Sequence, residues 1–308
     1  MKKLVTMLLC LVLVIGTACM FGCGDATFNG NYKEVSADST EVQEFAAATE
    51  NAENKVVTFG NGADLSVSVK GTAEGKKMDV SATIKATLDT TDPTAPKLTA
   101  EGSVKAKITA TKDEDKANNA DVDAKIYYKD KFVYVTGKID AAMMSANTQA
   151  DAKNDVKMKL PVDLDAGIQG VMKNLPIGEI TENSEISGGA VVEALNGNVL
   201  EMLISAKEEA GDNLKIYIDA ENKKVKAEIK IADEEEGSET NVTVYLVYDE
   251  SYNLIALKIE ANVKSADGDL TAELTFKGYT GKVSVPEGIE EDKDYIDMSV
   301  MMQALLRA

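Results

Sequence analysis

The sequence predicts an α+β protein built on a strongly bent, mostly antiparallel sheet, a half-barrel of about nine to eleven strands with a few helices on its concave face. Three observations predict this fold class. Much of the chain alternates apolar and polar residues, as in residues 78–88, so one side of each strand is apolar. Short turns join these segments, which favours antiparallel hairpins. Few segments have helical periodicity, too few for a separate helical layer.

The N-terminal residues have the pattern of an export signal. Lys2 and Lys3 precede an apolar run over residues 4–16, and small residues follow it. The run has the length of a signal-peptide core and is short for a bilayer span. We therefore predict a signal peptide over residues 1–22, with a retained membrane anchor as the alternative.

All three cysteines, Cys10, Cys19 and Cys23, lie at this end, so no disulfide is expected in the folded domain. A cysteine after an apolar run and a small residue resembles the lipobox of bacterial lipoproteins, in which that cysteine carries a diacylglyceryl group. We predict Cys23, which follows Gly22, as the lipid anchor on the outer face of the cell membrane. Cys19 is the alternative anchor, and ordinary cleavage that leaves a free thiol is a third interpretation.

The mature chain begins with a polar stretch and a helix. Residues 23–40 are predicted to form a flexible tether. Residues 41–54 are predicted to be helical, with Ser39 or Thr40 as the N-cap. The residues that share the apolar face of this helix are Val42, Phe45, Ala46 and Thr49.

One-sided strands and hairpins make up most of the remaining chain. Residues 160–175 have helical spacing and are predicted to be helical. Residues 188–209 are predicted to form a short strand followed by a helix that begins near Asn196 or Asn198. We predict a domain over residues 41–290 and a helical tail over 291–308. The strand segments are 63–73, 78–88, 97–111, 121–139 with a turn at 129–131, 213–233 with a turn at 221–222, 241–263 with a turn at 249–253, 269–279 and 281–286.

The order of these parts resembles the LolA/LolB-like half-barrel superfamily, especially surface lipoproteins of the LppX/LprG type in Gram-positive and mycobacterial cells. The resemblance lies in the lipobox, the first helix, the hairpin KIYYKDKFVYV at residues 125–135 and the ending FKGYTGKVSVPEGI at 276–289. It implies a bent antiparallel sheet with helices on its concave side, sometimes enclosing lipid. The low aromatic content and the tail after Pro286 depart from the family pattern.

Composition argues against several other functions. Histidine is absent, which removes Ser-His-Asp and Cys-His catalysis and most zinc sites. The acid pairs Asp121/Asp123 and Asp163/Asp165 fit outward strand or turn positions better than a glycosidase site. The net charge of −19, or −21 once Lys2 and Lys3 are removed, disfavours nucleic acid. We expect no enzyme activity, no cofactor and no metal site; weak calcium binding by the acidic runs at 113–115, 234–236 and 290–292 stays open.

Two functions remain as hypotheses. The first is a membrane-anchored lipoprotein that binds or carries a lipid or other hydrophobic molecule on the apolar side of the sheet. The second is a non-enzymatic interaction module of the cell envelope, without a ligand cavity, whose acidic surface meets an envelope protein. The side chains predicted to line the ligand site are Val80, Ile84, Val104, Ile108, Ile216, Ile229, Leu246, Leu257 and Leu274.

Overall fold

A computed structural model of the chain describes residues 27–36, 39–50, 62–73, 75–89, 97–112, 119–140, 153–162, 199–233, 237–266 and 268–297. These residues include two α-helices, α1 (Thr40–Glu50) and α2 (Val199–Ala210), and two short 3-10 helices at Gly211–Asn213 and Ile289–Glu291. The described strands are β1 (Lys33–Val35), β2 (Gly62–Ala73), β3 (Lys76–Asp89), β4 (Lys97–Ala110), β5 (Ala120–Lys129), β6 (Phe132–Asp140), β7 (Lys153–Pro161), β8 (Leu214–Asp219), β9 (Lys224–Asp233), β10 (Ser238–Tyr248), β11 (Leu254–Ser265), β12 (Gly268–Gly278) and β13 (Ile296–Asp297).

The described strands form one 13-stranded sheet in the hydrogen-bonding order β1-β8-β9-β10-β11-β12-β2-β3-β4-β5-β6-β7-β13. The sheet is mixed, because β13 runs parallel to β7 whereas the hairpin strands run antiparallel. The predicted half-barrel of about nine to eleven strands with helices on a concave face is therefore wrong. The described strands form a larger sheet, and the described part of the chain contains two α-helices, which is fewer than the prediction implied.

The prediction missed three strands for identifiable reasons. β1 has three residues and β13 has two, which is too short to show a two-residue period. β7 does alternate, through Val156, Met158 and Leu160, but the helical spacing assigned from residue 160 onward concealed its end. The segment 281–286, predicted as a strand, has no regular secondary structure.

The predicted hairpins are confirmed, and their turns explain them. β5 and β6 pair directly up to Lys129 and Phe132, which leaves Asp130 and Lys131 as the two loop residues. Both have positive φ, 49° and 68°, as a two-residue turn that matches strand twist requires. The hairpins β8–β9 and β10–β11 also turn where the sequence predicted.

The chain divides into two compact units. Unit 1 comprises Met1–Val67 and Ile180–Thr280, and unit 2 comprises Ser68–Glu179 and Gly281–Ala308. Both described α-helices and strands β8–β12 belong to unit 1. Strands β3–β7 and β13 belong to unit 2, whose described residues contain no α-helix.

The core of unit 1 lies between the apolar side of β8–β12 and the two helices. The register places Ile216, Ala227 and Val244 side by side on this face. Helix residues such as Phe45 and Leu200 belong to the same cluster of buried side chains. Each Leu, Ile or Phe buried in this way contributes about 1.5–3 kcal/mol to folding, so this cluster is a principal source of the stability of unit 1.

Helix α1 confirms the predicted helix over residues 41–50, and the predicted residues 51–54 lie outside the described part of the chain. The Ser39 side-chain oxygen accepts a hydrogen bond from the backbone N–H of Val42, at 3.4 Å, and so caps the first turn. The four residues predicted on its apolar face, Val42, Phe45, Ala46 and Thr49, are all buried. Helix α2 begins at Val199, next to the predicted start, and buries Leu200 and Leu203.

The two terminal segments differ from the predictions. β1 lies within the predicted tether over residues 23–40 but pairs with β8 in unit 1. The predicted helical tail over 291–308 is wrong for residues 291–297, which contain β13 and no α-helix. In unit 2, the Tyr295 ring packs edge-on against Tyr134 at 5.3 Å and fixes this segment to the sheet. Residues 298–308 lie outside the described part of the chain.

Candidate ligand-binding surface

Strands β3 to β7 of unit 2 share one apolar face, which we call the unit 2 apolar face. The antiparallel registers place Met78 beside Ile108, Val80 beside Ala106 and Ala82 beside Val104. Some of its larger side chains are half-buried and Ile84 is exposed, whereas Leu98 and Tyr128, toward one end of the face, are buried. The side chains of this face that remain partly accessible are Met78, Val80, Ala82, Ile84, Ala100, Val104, Ala106, Ile108, Val122, Ile126, Val133, Val135, Met158 and Leu160.

The exposure of Ile84 has a local cause. Its cross-strand partner on β4 is Gly102, which has no side chain with which to cover it. A Cβ atom at position 102 would lie 2.6 Å from the backbone oxygen of Thr83, so glycine is required for this close approach. Ile84 is 38% exposed as a result, while smaller members of the face, such as Ala86 and Ala124, are buried.

Four of the nine predicted lining residues, Val80, Ile84, Val104 and Ile108, belong to this face. The other five lie in unit 1, within its core or against it. Ile216 and Leu246 are 1% and 0% exposed because they pack in one cluster with residues of α1 and α2. Leu257 and Leu274 are buried in that cluster, and Ile229 is partly buried against it.

Sequence reasoning missed the part of the unit 2 apolar face that β5, β6 and β7 contribute. Ile126 pairs with Val135, and Val135 pairs with Met158, so these three side chains extend the face across three strands. The signal was present for β7 in the alternation of Val156, Met158 and Leu160. The apolar positions of these strands could therefore have been added to the predicted set.

The opposite, polar face of unit 2 carries cross-strand charge pairs. Lys105 lies 3.7 Å from Asp123, and Asp121 lies opposite Lys107, so the acid pair Asp121/Asp123 faces lysines. These contacts fit the outward strand positions that the sequence predicted. The second pair, Asp163/Asp165, lies outside the described residues.

The acidic run at 290–292 is held by lysines of the sheet. Lys129 donates hydrogen bonds to both carboxylate oxygens of Glu290, at 2.9 and 3.0 Å, and Lys157 donates to Asp292 at 2.9 Å. The hydrogen bond from Lys129 lowers the pKa of Glu290, and that from Lys157 lowers the pKa of Asp292. The runs at 113–115 and 234–236 lie outside the described residues.

Three further findings concern metals, membranes and the anchor. The described part of the chain holds no group of three or more His, Cys, Asp or Glu side chains that could bind a metal ion. None of its helices is both long and apolar enough to cross a membrane. The predicted anchor Cys23 and its alternative Cys19 lie outside the described residues.

No protein-family model matches the chain, and no curated protein matches it significantly. The resemblance to the LolA/LolB-like superfamily therefore stays a prediction from the sequence alone.

Proposed function

We propose that the protein is an exported, lipid-anchored binding protein, not an enzyme, that takes up a lipid or another hydrophobic molecule on the unit 2 apolar face. The observation that carries this proposal is the accessibility of that face. Ile84 is 38% exposed, and Val80, Val104 and Ile108 are half-buried along the same face of β3 and β4. A partly accessible apolar surface of this kind is typical of a site where a ligand or partner binds.

The contrast with unit 1 supports the choice of face. There the protein's own helices pack against the apolar side around Leu246, which is 0% exposed, and among the large side chains of that side Ile231, toward the far end of β9, is 48% exposed. A ligand would have to displace α1 or α2 to reach Ile216, Leu246, Leu257 or Leu274. The proposed site therefore keeps Val80, Ile84, Val104 and Ile108 and excludes the predicted lining residues of unit 1.

An acyl chain has the chemistry that this face requires. Each methylene removed from water contributes about 0.8 kcal/mol, so about ten buried methylenes would contribute about 8 kcal/mol. The loss of translational and conformational freedom offsets part of that gain, which puts the affinity at about micromolar or weaker. Alanines and Gly102 leave room beside the larger side chains for such a chain to lie along the strands.

A matched pair of lysine substitutions on β3 tests the face. Ile84→Lys places a charge on the unit 2 apolar face, whereas Thr83→Lys places it on the polar face, where Thr83 contacts Ser103. With a fatty acid that carries an environment-sensitive fluorophore, we expect saturable binding to the unmodified protein. Ile84→Lys should weaken this binding about tenfold, and Thr83→Lys should leave it unchanged.

Two results would refute the proposal. One is the absence of saturable binding, together with lipid-free native mass spectra of the purified protein. The other is equal binding by Ile84→Lys and the unmodified protein. Either result would favour the interaction module of the cell envelope.

The lipid anchor has its own test. In cells supplied with a clickable fatty acid, the unmodified protein should become labelled, and Cys23→Ala should abolish the label. Cys19→Ala is the matched control and should keep it. Label that disappears only with Cys19→Ala would move the anchor to Cys19, and an unlabelled parent protein would refute lipidation.

A further inference from the structure

We propose that the N-terminal segment Thr27–Val35 is fastened to unit 1, so that the lipid anchor holds one defined face of this unit close to the membrane surface. We call this face the anchor-proximal face; it is the polar side of strands β8–β12, oriented so that its end at Lys224 lies nearest the membrane and its opposite end points away from it. The inference rests on the proposed anchor at Cys23. In this proposal, the segment predicted as a flexible tether over residues 23–40 is instead a short attachment that is fixed to the sheet.

Buried polar groups of the sheet hold the segment. The backbone N–H of Asn31 donates to the Asp219 carboxylate at 2.8 Å. The Lys224 ammonium donates to the backbone oxygen of Asn29 at 2.7 Å and to the Thr27 hydroxyl at 3.2 Å. Asp219 is only 4% exposed and Lys224 only 8%, so these charge-assisted hydrogen bonds are partly shielded from water.

Aromatic contacts and strand pairing extend the attachment along the segment. The rings of Phe28 and Tyr32 each meet the Tyr245 ring edge-on, with centroids 6.2 Å apart. Lys226 lies near two rings, 5.7 Å from that of Tyr32 and 4.1 Å from that of Tyr217. β1 then pairs with β8, so contacts with unit 1 run from Thr27 to Val35.

The number of residues between the anchor Cys23 and the first fastened residue, Thr27, limits the distance between this part of unit 1 and the membrane. Only residues 24–26 separate Cys23 from Thr27. Four Cα–Cα steps of about 3.8 Å span at most about 15 Å. If the chain were instead free as far as Ser39, sixteen Cα–Cα steps would separate that residue from Cys23, and they could span about 60 Å. The fastened segment therefore keeps the Lys224 end of the anchor-proximal face next to the lipid headgroups.

The charges of this face are compatible with a bilayer surface even though the whole chain carries a net charge of −19. Lys226 pairs with Glu228 at 2.8 Å, and Lys258 lies 2.6 Å from Glu260 and 3.3 Å from Glu273. Carboxylates neutralised by neighbouring lysines repel anionic lipids less than unpaired carboxylates do. The partner that this face fits is a lipid surface.

Energy transfer from the protein to labelled headgroups measures the orientation. The lipidated full-length protein is placed in vesicles of phosphatidylcholine and phosphatidylglycerol with an acceptor dye on the headgroups. A donor is attached through Glu221→Cys, in the β8–β9 turn beside Lys224, or through Glu239→Cys, near the opposite end of β10; both positions are exposed. Since these positions are roughly 30 Å apart along the strands, we expect about twofold or higher transfer efficiency at 221 than at 239.

A matched pair of variants in the segment tests the attachment. A Cβ at Gly30 would lie 2.7 Å from the Asp219 carboxylate oxygen, so Gly30→Val should displace the segment and bring the two efficiencies together. Asn29→Ala removes an exposed side chain but keeps the carbonyl that accepts from Lys224, and it should preserve the difference. Equal efficiencies in the labelled parent, or no change with Gly30→Val, would overturn this inference alone. Loss of fatty-acid labelling in the parent would overturn the proposed anchor itself.

Discussion

The two units close the apolar sides of their strands in different ways. In unit 1, Ile216 and Leu246 are 1% and 0% exposed because the side chains of α1 and α2 pack in the same cluster. In unit 2, Ile84 is 38% exposed although Leu98 and Tyr128 on the same face are buried, and the described residues of this unit contain no α-helix. The alternation along the strands is the same in both units. It determines which side is apolar, whereas segments distant in sequence determine whether that side becomes a core or a surface.

The largest expected effect comes from removing the cover of unit 1. Phe45 of α1 is 4% exposed and packs edge-on against Tyr248 at 5.4 Å and Tyr252 at 5.2 Å. Phe45→Ala should lower the free energy of unfolding of unit 1 by about 3–5 kcal/mol, because it removes a ring and leaves a cavity. Urea unfolding followed by circular dichroism measures this loss. Increased binding of a hydrophobic dye would show that the face has opened.

Phe28→Ala is the matched control for that experiment. Phe28 is half-buried on the polar face of the same unit, where its ring meets Tyr245 at 6.2 Å. Its removal should cost clearly less and should not expose the apolar side of β8–β12. Equal losses for the two variants would contradict the view that α1 closes the core of unit 1.

A matched pair of isoleucine substitutions compares the two apolar faces directly. Ile216→Ala, at a side chain that is 1% exposed, should destabilise unit 1 by about 2–5 kcal/mol. Ile84→Ala, at 38% exposure, should cost unit 2 less than about 1 kcal/mol, because much of this side chain already contacts water. Urea titrations of both variants measure the two values. Similar losses would mean that Ile84 is as well packed as Ile216, which would undermine the ligand surface.

Much of the local structure was predictable because it depends on neighbouring residues. The side-chain period marked β3, β4 and the three hairpins, and the cap at Ser39 with the spacing of Val42 and Phe45 marked α1. These features depend on pairs of residues a few positions apart, which a sequence displays directly. The polar turn at Asp130 and Lys131 belongs to the same category.

The rest depends on contacts between distant parts of the chain. Pairing of β1 with β8 joins residues 33–35 to 216–218, and neither terminal strand is long enough to show its own period. The same limit applies to the candidate site. Ile84 and Ile216 follow the same pattern in sequence, but α1 and α2 pack in the cluster that buries Ile216, whereas Ile84 lies opposite Gly102. The nine predicted lining residues were therefore divided between a surface and a core.

The two units also differ in how a terminal segment of the chain is held on the polar face of the sheet. In unit 1, the N-terminal segment is held by Asp219, a carboxylate that is 4% exposed. In unit 2, the C-terminal segment is held partly by Asp292, whose side chain is 33% exposed and accepts a hydrogen bond from Lys157 at 2.9 Å. Exposed ion pairs contribute little, because water and salt screen them, whereas a buried carboxylate that accepts several hydrogen bonds contributes more.

Asp219→Ala and Asp292→Ala test this difference. Asp219→Ala leaves the N–H groups of Asn31 and Asn222 without their acceptor and removes the negative charge near the Lys224 ammonium, so we expect a loss of about 1–3 kcal/mol in unit 1. Asp292→Ala should cost unit 2 less. The free energy of unfolding, measured for both variants and the parent in urea, gives the two values.

The pH dependence gives a second measurement of the same contrast. Burial raises the pKa of Asp219, but the hydrogen bonds from Asn222 and Asn31 outweigh it and lower the pKa below its ordinary value. A lowered pKa in the folded state means that the contribution of Asp219 is complete above the ordinary carboxyl pKa and is lost as the pH falls through the lowered value. The difference in unfolding free energy between the parent and Asp219→Ala should therefore shrink on acidification through that range. A difference that stays constant with pH would show that the ionised carboxylate of Asp219 does not hold the N-terminal segment.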